Sequence, residues 1–144
     1  MAKRRARLTV TALVVSVLIT AVVSSAQAEP PCAANLKGTY ALEEKGTIAG
    51  VGPYATVGIL TSDGRGSFEG TSTSSYGGFI VQETFSGNYT VNPDCTGAAS
   101  FTGNVVHGTA TRALVILHRG KDIQFIATDP GQVITGTLTK TTGE

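Results

Sequence analysis

From residue 29 onward, short runs rich in Val, Ile, Thr, Phe and Tyr alternate with Gly, Asn, Asp and Pro. No long stretch there has the 3.6-residue apolar period of a helix, and all 18 glycines of the chain lie in this part. Short β-prone runs separated by turn residues are typical of all-β proteins. This pattern therefore limits the region to an all-β domain.

The turn-forming residues Gly, Asn, Asp and Pro divide the region into eight predicted strands. Asp63-Gly64, Gly77-Gly78 and Asn92-Pro93-Asp94 are typical turn sequences, whereas Gly87, inside a long run, indicates a bulge or bend. Residues 48–53 have the composition of a flexible loop. The predicted strands cover residues 38–47, 54–61, 66–73, 79–91, 98–103, 109–118, 122–128 and 132–140.

Short connections favour antiparallel pairing between consecutive strands. Eight strands paired in this way can close into an up-and-down barrel, which leaves no exposed sheet edge. The interior of such a barrel is either packed with side chains or holds one small ligand. We therefore predict a single eight-stranded antiparallel barrel over residues 29–144, and a two-sheet β-sandwich is the alternative.

Residues 1–28 have the three parts of a secretory signal peptide. A basic segment from Lys3 to Arg7 precedes an apolar run over residues 8–23, and Ala26-Gln27-Ala28 follows as a cleavage box. We expect cleavage before Glu29 and a secreted or extracytoplasmic location, in the periplasm or at the cell exterior. The apolar run is long enough that a retained membrane anchor is the competing interpretation.

Cleavage would change the charge balance of the chain. Four of the 11 Lys and Arg residues lie in the signal, whereas all 10 acidic residues follow it, so the remaining domain has a formal charge of −3. An acidic surface without a basic cluster argues against nucleic acid as a partner. After cleavage we also expect no stable membrane span, and the oligomeric state is left open.

Cys32 and Cys95 are the two cysteines of the chain. In an exported protein such a pair predicts a disulfide, with two free thiols as the alternative. The bond would tie the segment over residues 29–36 to the turn between the fourth and fifth strands. That segment would then lie across one end of the domain as a plug or lid.

Residues two apart on a strand share a face, and this rule selects the candidate site residues. Phe79, Val81, Glu83 and Phe85 share one face of the fourth strand, and Tyr40 has apolar neighbours on its face of the first. We predict that the three apolar residues line a ligand pocket and that Glu83 or Tyr40 holds a polar end of the ligand. Glu83 is also the weak candidate for a catalytic acid or base, but a solvated position or an ion pair, for instance with Arg112, explains it better.

Other ionisable residues are weaker candidates. Glu44 lies between Glu43 and Lys45, so we expect it near a strand end in water. His107 and His118 lack a third ligand at metal-site spacing, and we therefore expect no metal. The sequence has no P-loop and no dinucleotide fingerprint, so we also expect no organic cofactor.

Several stretches of the domain carry a family resemblance: LKGTYA at 36–41, VGILT at 57–61, DGRG at 63–66, SGNYTVNPDCTG at 86–97, IQFIATDPG at 123–131 and VITGT at 133–137. With these stretches the domain resembles a group of small exported bacterial β-barrel proteins. The resemblance implies export but no activity and no catalytic residue. More distantly, the predicted barrel is similar in architecture to the lipocalins and the allene-oxide-cyclase-like proteins, which include carriers of apolar ligands and cyclases that act by folding a flexible substrate.

Three functions are consistent with these features. The first is an exported barrel that binds a hydrophobic small molecule in its interior. The second is a cyclase or isomerase of the shape-driven barrel type, acting on a flexible natural-product substrate without metal or organic cofactor. The third is a non-enzymatic surface interaction protein with a solid interior.

Overall fold

A computed structural model describes residues 32, 36–105 and 108–141 of the chain. The eight strands form one closed barrel in which each strand pairs antiparallel with the next and β8 pairs with β1. The predicted up-and-down barrel is confirmed, and the two-sheet sandwich is wrong. The strands are β1 Gly38–Ile48, β2 Gly52–Ser62, β3 Ser67–Tyr76, β4 Phe79–Val91, β5 Thr96–Gly103, β6 Ala110–Leu117, β7 Asp122–Ala127 and β8 Gln132–Lys140.

Closure of the sheet explains the alternating burial along most of the strands. In β7, for example, Ile123, Phe125 and Ala127 are buried, whereas Gln124 and Ile126 are exposed. A side-chain period of two sends alternate residues to the inside and the outside of the barrel. The inward row of β6 is therefore the one that contains Arg112, although both rows of that strand are largely apolar.

Two local predictions need correction. Residues 48–53 do not form a long loop, because β1 continues to Ile48 and β2 begins at Gly52. Gly87 is not a bulge, since the pairing of β4 runs through it without interruption on both sides. A Cβ atom at this glycine would collide with the Ser100 carbonyl and the Phe68 ring, so the sheet needs a residue without a side chain there.

The β3–β4 connection is a two-residue hairpin made of Gly77 and Gly78. Both residues have positive φ, 58° and 98°. Two positive φ angles in succession give the twist that suits a two-residue hairpin, and glycine adopts them without steric cost. This turn lets β3 and β4 pair up to Tyr76 and Phe79.

Cys32 and Leu36, which together we call the plug, pack into the core at one end of the barrel. Cys32 is disulfide-bonded to Cys95, with 5.5 Å between the two Cα atoms, which confirms the predicted bond. Both plug residues are 3% exposed. They pack in the main core cluster with Leu60, Ile116 and Tyr40. A disulfide that joins residues this far apart in sequence contributes about 4 kcal/mol at most.

The predicted signal over residues 1–28 lies outside the described residues, and so does His107. Within the part of the chain that is described, no helix has both the length and the apolar character needed to cross a membrane.

Candidate ligand-binding cavity

The interior of the barrel contains a cavity of about 460 Å³. This volume is in the usual range for small-molecule sites. The cavity reaches the end of the barrel opposite the plug, where Val51, Val105 and Gly108 in the connecting turns contribute to its lining. The barrel is therefore closed at the plug and continues into a cavity toward what we call the mouth.

Most of the lining is apolar, and it comes from all strands of the barrel. Polar side chains interrupt this wall mainly on β1 to β4 and on β6. The principal apolar lining residues are Leu42, Ile48, Leu60, Phe68, Phe85, Ala99, Phe101, Leu114, Phe125, Ile134 and Leu138.

The first polar group on the wall is centred on Glu44, which is 6% exposed. One of its carboxylate oxygens accepts a hydrogen bond from the Tyr54 hydroxyl at 2.8 Å, and the other pairs with Nε of Arg112 at 3.3 Å. The Arg112 guanidinium also contacts Asp129 at 3.4 Å and lies 5.1 Å from the centre of the Phe101 ring. Arg112 is thus shared between two carboxylates, and Glu44 has a cationic partner.

The second polar group is centred on Glu83, which is 9% exposed. Its two carboxylate oxygens accept hydrogen bonds from the Tyr76 hydroxyl at 2.9 Å and the Ser74 hydroxyl at 2.5 Å. Ser74 is also hydrogen-bonded to Thr56 on the neighbouring strand. All of these donors are neutral, so the Glu83 carboxylate has hydrogen-bond partners but no cation among the described residues.

The two groups meet at a pair of tyrosine rings. The centres of the Tyr54 and Tyr76 rings are 5.1 Å apart. Burial raises the pKa of both hydroxyls, and the adjacent Glu44 and Glu83 carboxylates raise it further. Both phenols therefore keep their protons over the physiological range and act as hydrogen-bond donors to the carboxylates.

The structure brings together only part of the predicted site. Glu83 and Phe85 line the cavity. Tyr40 is buried at the plugged end, where its hydroxyl donates to the Gly120 carbonyl at 2.7 Å. Phe79 is 78% exposed because β4 extends to the hairpin at the mouth, and Val81 is half-buried without lining the cavity.

Sequence reasoning missed the partners of the two glutamates. Glu44 is buried rather than solvated, and Arg112 pairs with Glu44 and Asp129 rather than with Glu83. Glu44 shares a strand face with Tyr40 and Leu42, and this spacing indicated an inward side chain. The charged neighbours Glu43 and Lys45 instead indicated a position in water. Both of these neighbours face outward.

Of the two histidines, the structure describes His118 only, and it lies on the outside of the barrel. His118 is exposed and pairs with Asp122 at 2.7 Å, away from the cavity lining. The described residues contain no group of three His, Cys, Asp or Glu side chains placed to hold a metal ion. What the cavity wall offers chemically is an apolar surface, one carboxylate without a cationic partner, and phenol hydroxyls.

Comparison with known proteins gives structural neighbours only. No protein-family model and no curated protein matches the chain. The expected relationship to exported bacterial proteins therefore stays a prediction.

Solved structures that resemble the chain include designed eight-stranded barrels. A redesigned barrel, mFAP1 bound to DFHBI, has a TM-score of 0.56 and 18% identity, covering 76% of this chain and 99% of its own. A fluorescence-activating barrel designed de novo has a TM-score of 0.54 and 13% identity, covering 76% and 98% respectively. At these identities the likeness extends to the fold, and the chain has the architecture of a closed eight-stranded β-barrel.

Proposed function

We propose that this protein is an exported barrel that binds a hydrophobic small molecule in its interior. The observation that carries the proposal is the cavity of about 460 Å³, lined mainly by apolar side chains and closed at one end by the plug. Removal of an apolar ligand from water into such a wall is favourable by roughly 25 cal/mol per Å² of buried apolar surface. A solid barrel built only for surface interactions would fill this volume with side chains.

Two further observations support the proposal. The mFAP1 barrel, which shares the fold, holds the small molecule DFHBI. The disulfide is compatible with an extracytoplasmic location, as the predicted signal requires. Mass spectrometry of the protein from its own host tests whether the signal is cleaved, and we expect a chain that begins at Glu29. A chain that retains residue 1 would contradict cleavage.

Titration with the neutral fluorescent probe N-phenyl-1-naphthylamine tests ligand binding directly. We expect saturable binding of one probe molecule per chain. The Ala99→Phe variant places a ring into the cavity and should weaken binding by about tenfold or more, since the inserted side chain occupies ligand space. Ala98→Phe is the matched control, because Ala98 faces outward on the same strand.

Circular dichroism establishes that both variants retain the barrel. Absence of saturable binding to the unmodified protein would contradict the proposal. Equal loss of binding in Ala98→Phe and Ala99→Phe would contradict the assignment of the site to the interior.

A shape-driven cyclase or isomerase is the second candidate. Its supporting observation is the position of the Tyr76–Glu83 and Tyr54–Glu44 pairs on the cavity wall, where a phenol could donate to a reacting oxygen. Incubation with flexible polyene epoxides, followed by product analysis, tests it. Turnover that falls in Tyr76→Phe while probe affinity stays constant would favour the enzyme, and unchanged product ratios relative to buffer would exclude it for those substrates.

A further inference from the structure

The charges on the cavity wall do not balance. The described lining residues include two carboxylates, Glu44 and Glu83, and one guanidinium, Arg112. Arg112 is already paired with Glu44 and with Asp129. Within the described part of the chain, no basic side chain forms an ion pair with Glu83. The excess charge of the wall is therefore negative, and it is located at Glu83.

A buried carboxylate held only by neutral donors is incompletely compensated. The carboxyl group of Glu83 receives one hydrogen bond on each oxygen, from Tyr76 and from Ser74. Each carboxylate oxygen can accept a second hydrogen bond, so acceptor capacity remains. Loss of water around an ion costs free energy that a nearby opposite charge offsets, and a ligand that carries a cation would supply that charge.

The surroundings of Glu83 suit an organic cation in particular. Tyr76 and Phe85, which flank Glu83 in the cavity wall, and the neighbouring Tyr54 ring present aromatic surface. Ammonium groups are attracted to the faces of such rings as well as to carboxylates. The cavity wall already contains one cation–π contact, in which the Arg112 guanidinium lies over the Phe101 ring.

The same balance disfavours an anionic ligand. Arg112 is the one basic residue among the described lining residues, and two carboxylates already pair with it. A fatty-acid carboxylate in the cavity would have to displace one of them and would also face Glu83. Like charges in a desolvated site repel strongly.

We infer that the cavity selects a hydrophobic cation, with the apolar body along the aliphatic and aromatic wall and a protonated amine or quaternary ammonium head at Glu83. This inference deepens the proposed function and rests on it. Glu83 acts as the counter-ion of the ligand, and Tyr76 and Ser74 hold its carboxylate in place.

Three probes of equal chain length separate the head group from the apolar body. Decyltrimethylammonium, decanol and decanoate are each titrated against the complex of the protein with N-phenyl-1-naphthylamine, below their micellar concentrations. We expect the cation to displace the naphthylamine at about tenfold lower concentration than the alcohol, because the positive head group is attracted to the Glu83 carboxylate and to the faces of the neighbouring aromatic rings. Decanoate should be the weakest of the three.

The Glu83→Gln variant tests whether Glu83 is responsible for the preference for the cationic probe. The variant should lower the affinity for the cation about tenfold and the affinity for the alcohol much less, because the alcohol carries no charge for the carboxylate to compensate. Glu69→Gln is the matched control, since it removes the same charge from the outer face of β3 and should change neither.

Two results would overturn the inference. Equal affinities for the three probes, or tightest binding of decanoate, contradict cation selection even if Glu83→Gln does not fold. A cation preference that survives in folded Glu83→Gln contradicts the role of Glu83. Failure of the proposed function is a separate result, because then the naphthylamine itself does not bind.

Discussion

At the residue scale, the barrel interior depends on which buried charges have partners. Glu44 and Arg112 are each 6% exposed and pair across the interior from β1 and β6. Removal of one member of a buried ion pair leaves the other desolvated and uncompensated, which costs more than the pair itself contributes. Substitution of Arg112 should therefore destabilise the fold more than substitution of any exposed basic residue.

Arg112→Met should lower the free energy of unfolding by about 3 kcal/mol, because Glu44 is left without its cation. The double variant Glu44→Gln/Arg112→Met should recover part of this loss, since the stranded charge is then removed as well. Urea unfolding at neutral pH measures both, with the exposed Arg65→Met as control. A double variant less stable than Arg112→Met would contradict the account.

The alkaline limit of stability is also set by single residues. Burial raises the pKa of the Tyr40 hydroxyl to about 12, and Tyr89 adds to the shift. Because the folded pKa exceeds the usual value of about 10, the stabilisation is complete below pH 10 and is lost as the pH rises toward 12. We expect unfolding free energies to fall over this interval and the fall to be smaller in Tyr40→Phe. Absorbance at 295 nm during a pH titration measures the ionisation, and release of all tyrosine protons near pH 10 from folded protein would contradict the assignment.

At the element scale, much of the structure could be predicted from the sequence. The turn-forming residues Gly, Asn, Asp and Pro predicted the observed bounds of β4 and β8. The two-residue period of side chains along β4 predicted that Glu83 and Phe85 share the inner face, where both line the cavity. The depth of a residue along the barrel axis could not be predicted, since it depends on the offset between strands. For this reason Tyr40 and Phe79, both on inward rows, lie at opposite ends of the barrel and outside the cavity lining.

Close approach of neighbouring strands depends on glycine at position 87. Gly87→Ala should destabilise the protein by about 1–3 kcal/mol, because the added Cβ meets the Ser100 carbonyl and the Phe101 side chain. Gly103→Ala is the control, since the nearest atom to its Cβ, the Thr84 carbonyl oxygen, is 3.5 Å away. Thermal unfolding followed by circular dichroism compares the two. Equal stability of the two variants would show that the sheet adapts at position 87.

At the scale of the whole molecule, one end of the barrel is solid and the other contains space. The main core cluster joins the plug to Leu60, Ile116 and Phe125, whereas Tyr54 and Ile134 form a smaller cluster that lies toward the mouth. The sequence allowed either a packed or a ligand-holding interior, because strand count does not fix how far side chains fill a barrel. The cavity of about 460 Å³ shows that side chains do not fill this barrel completely.

Binding of a hydrophobic molecule in the barrel interior is tested most directly by mapping which side chains the bound molecule contacts. Nuclear Overhauser effects are measured between bound N-phenyl-1-naphthylamine and the labelled methyl groups of Ile, Leu and Val. A molecule bound in the barrel interior should give contacts to the inward methyls of Leu42, Leu60 and Ile134. It should give none to Val57, Ile59 and Val133, which are exposed on the outer face. Contacts to the outer methyls without any to the inner ones would contradict a ligand-binding interior.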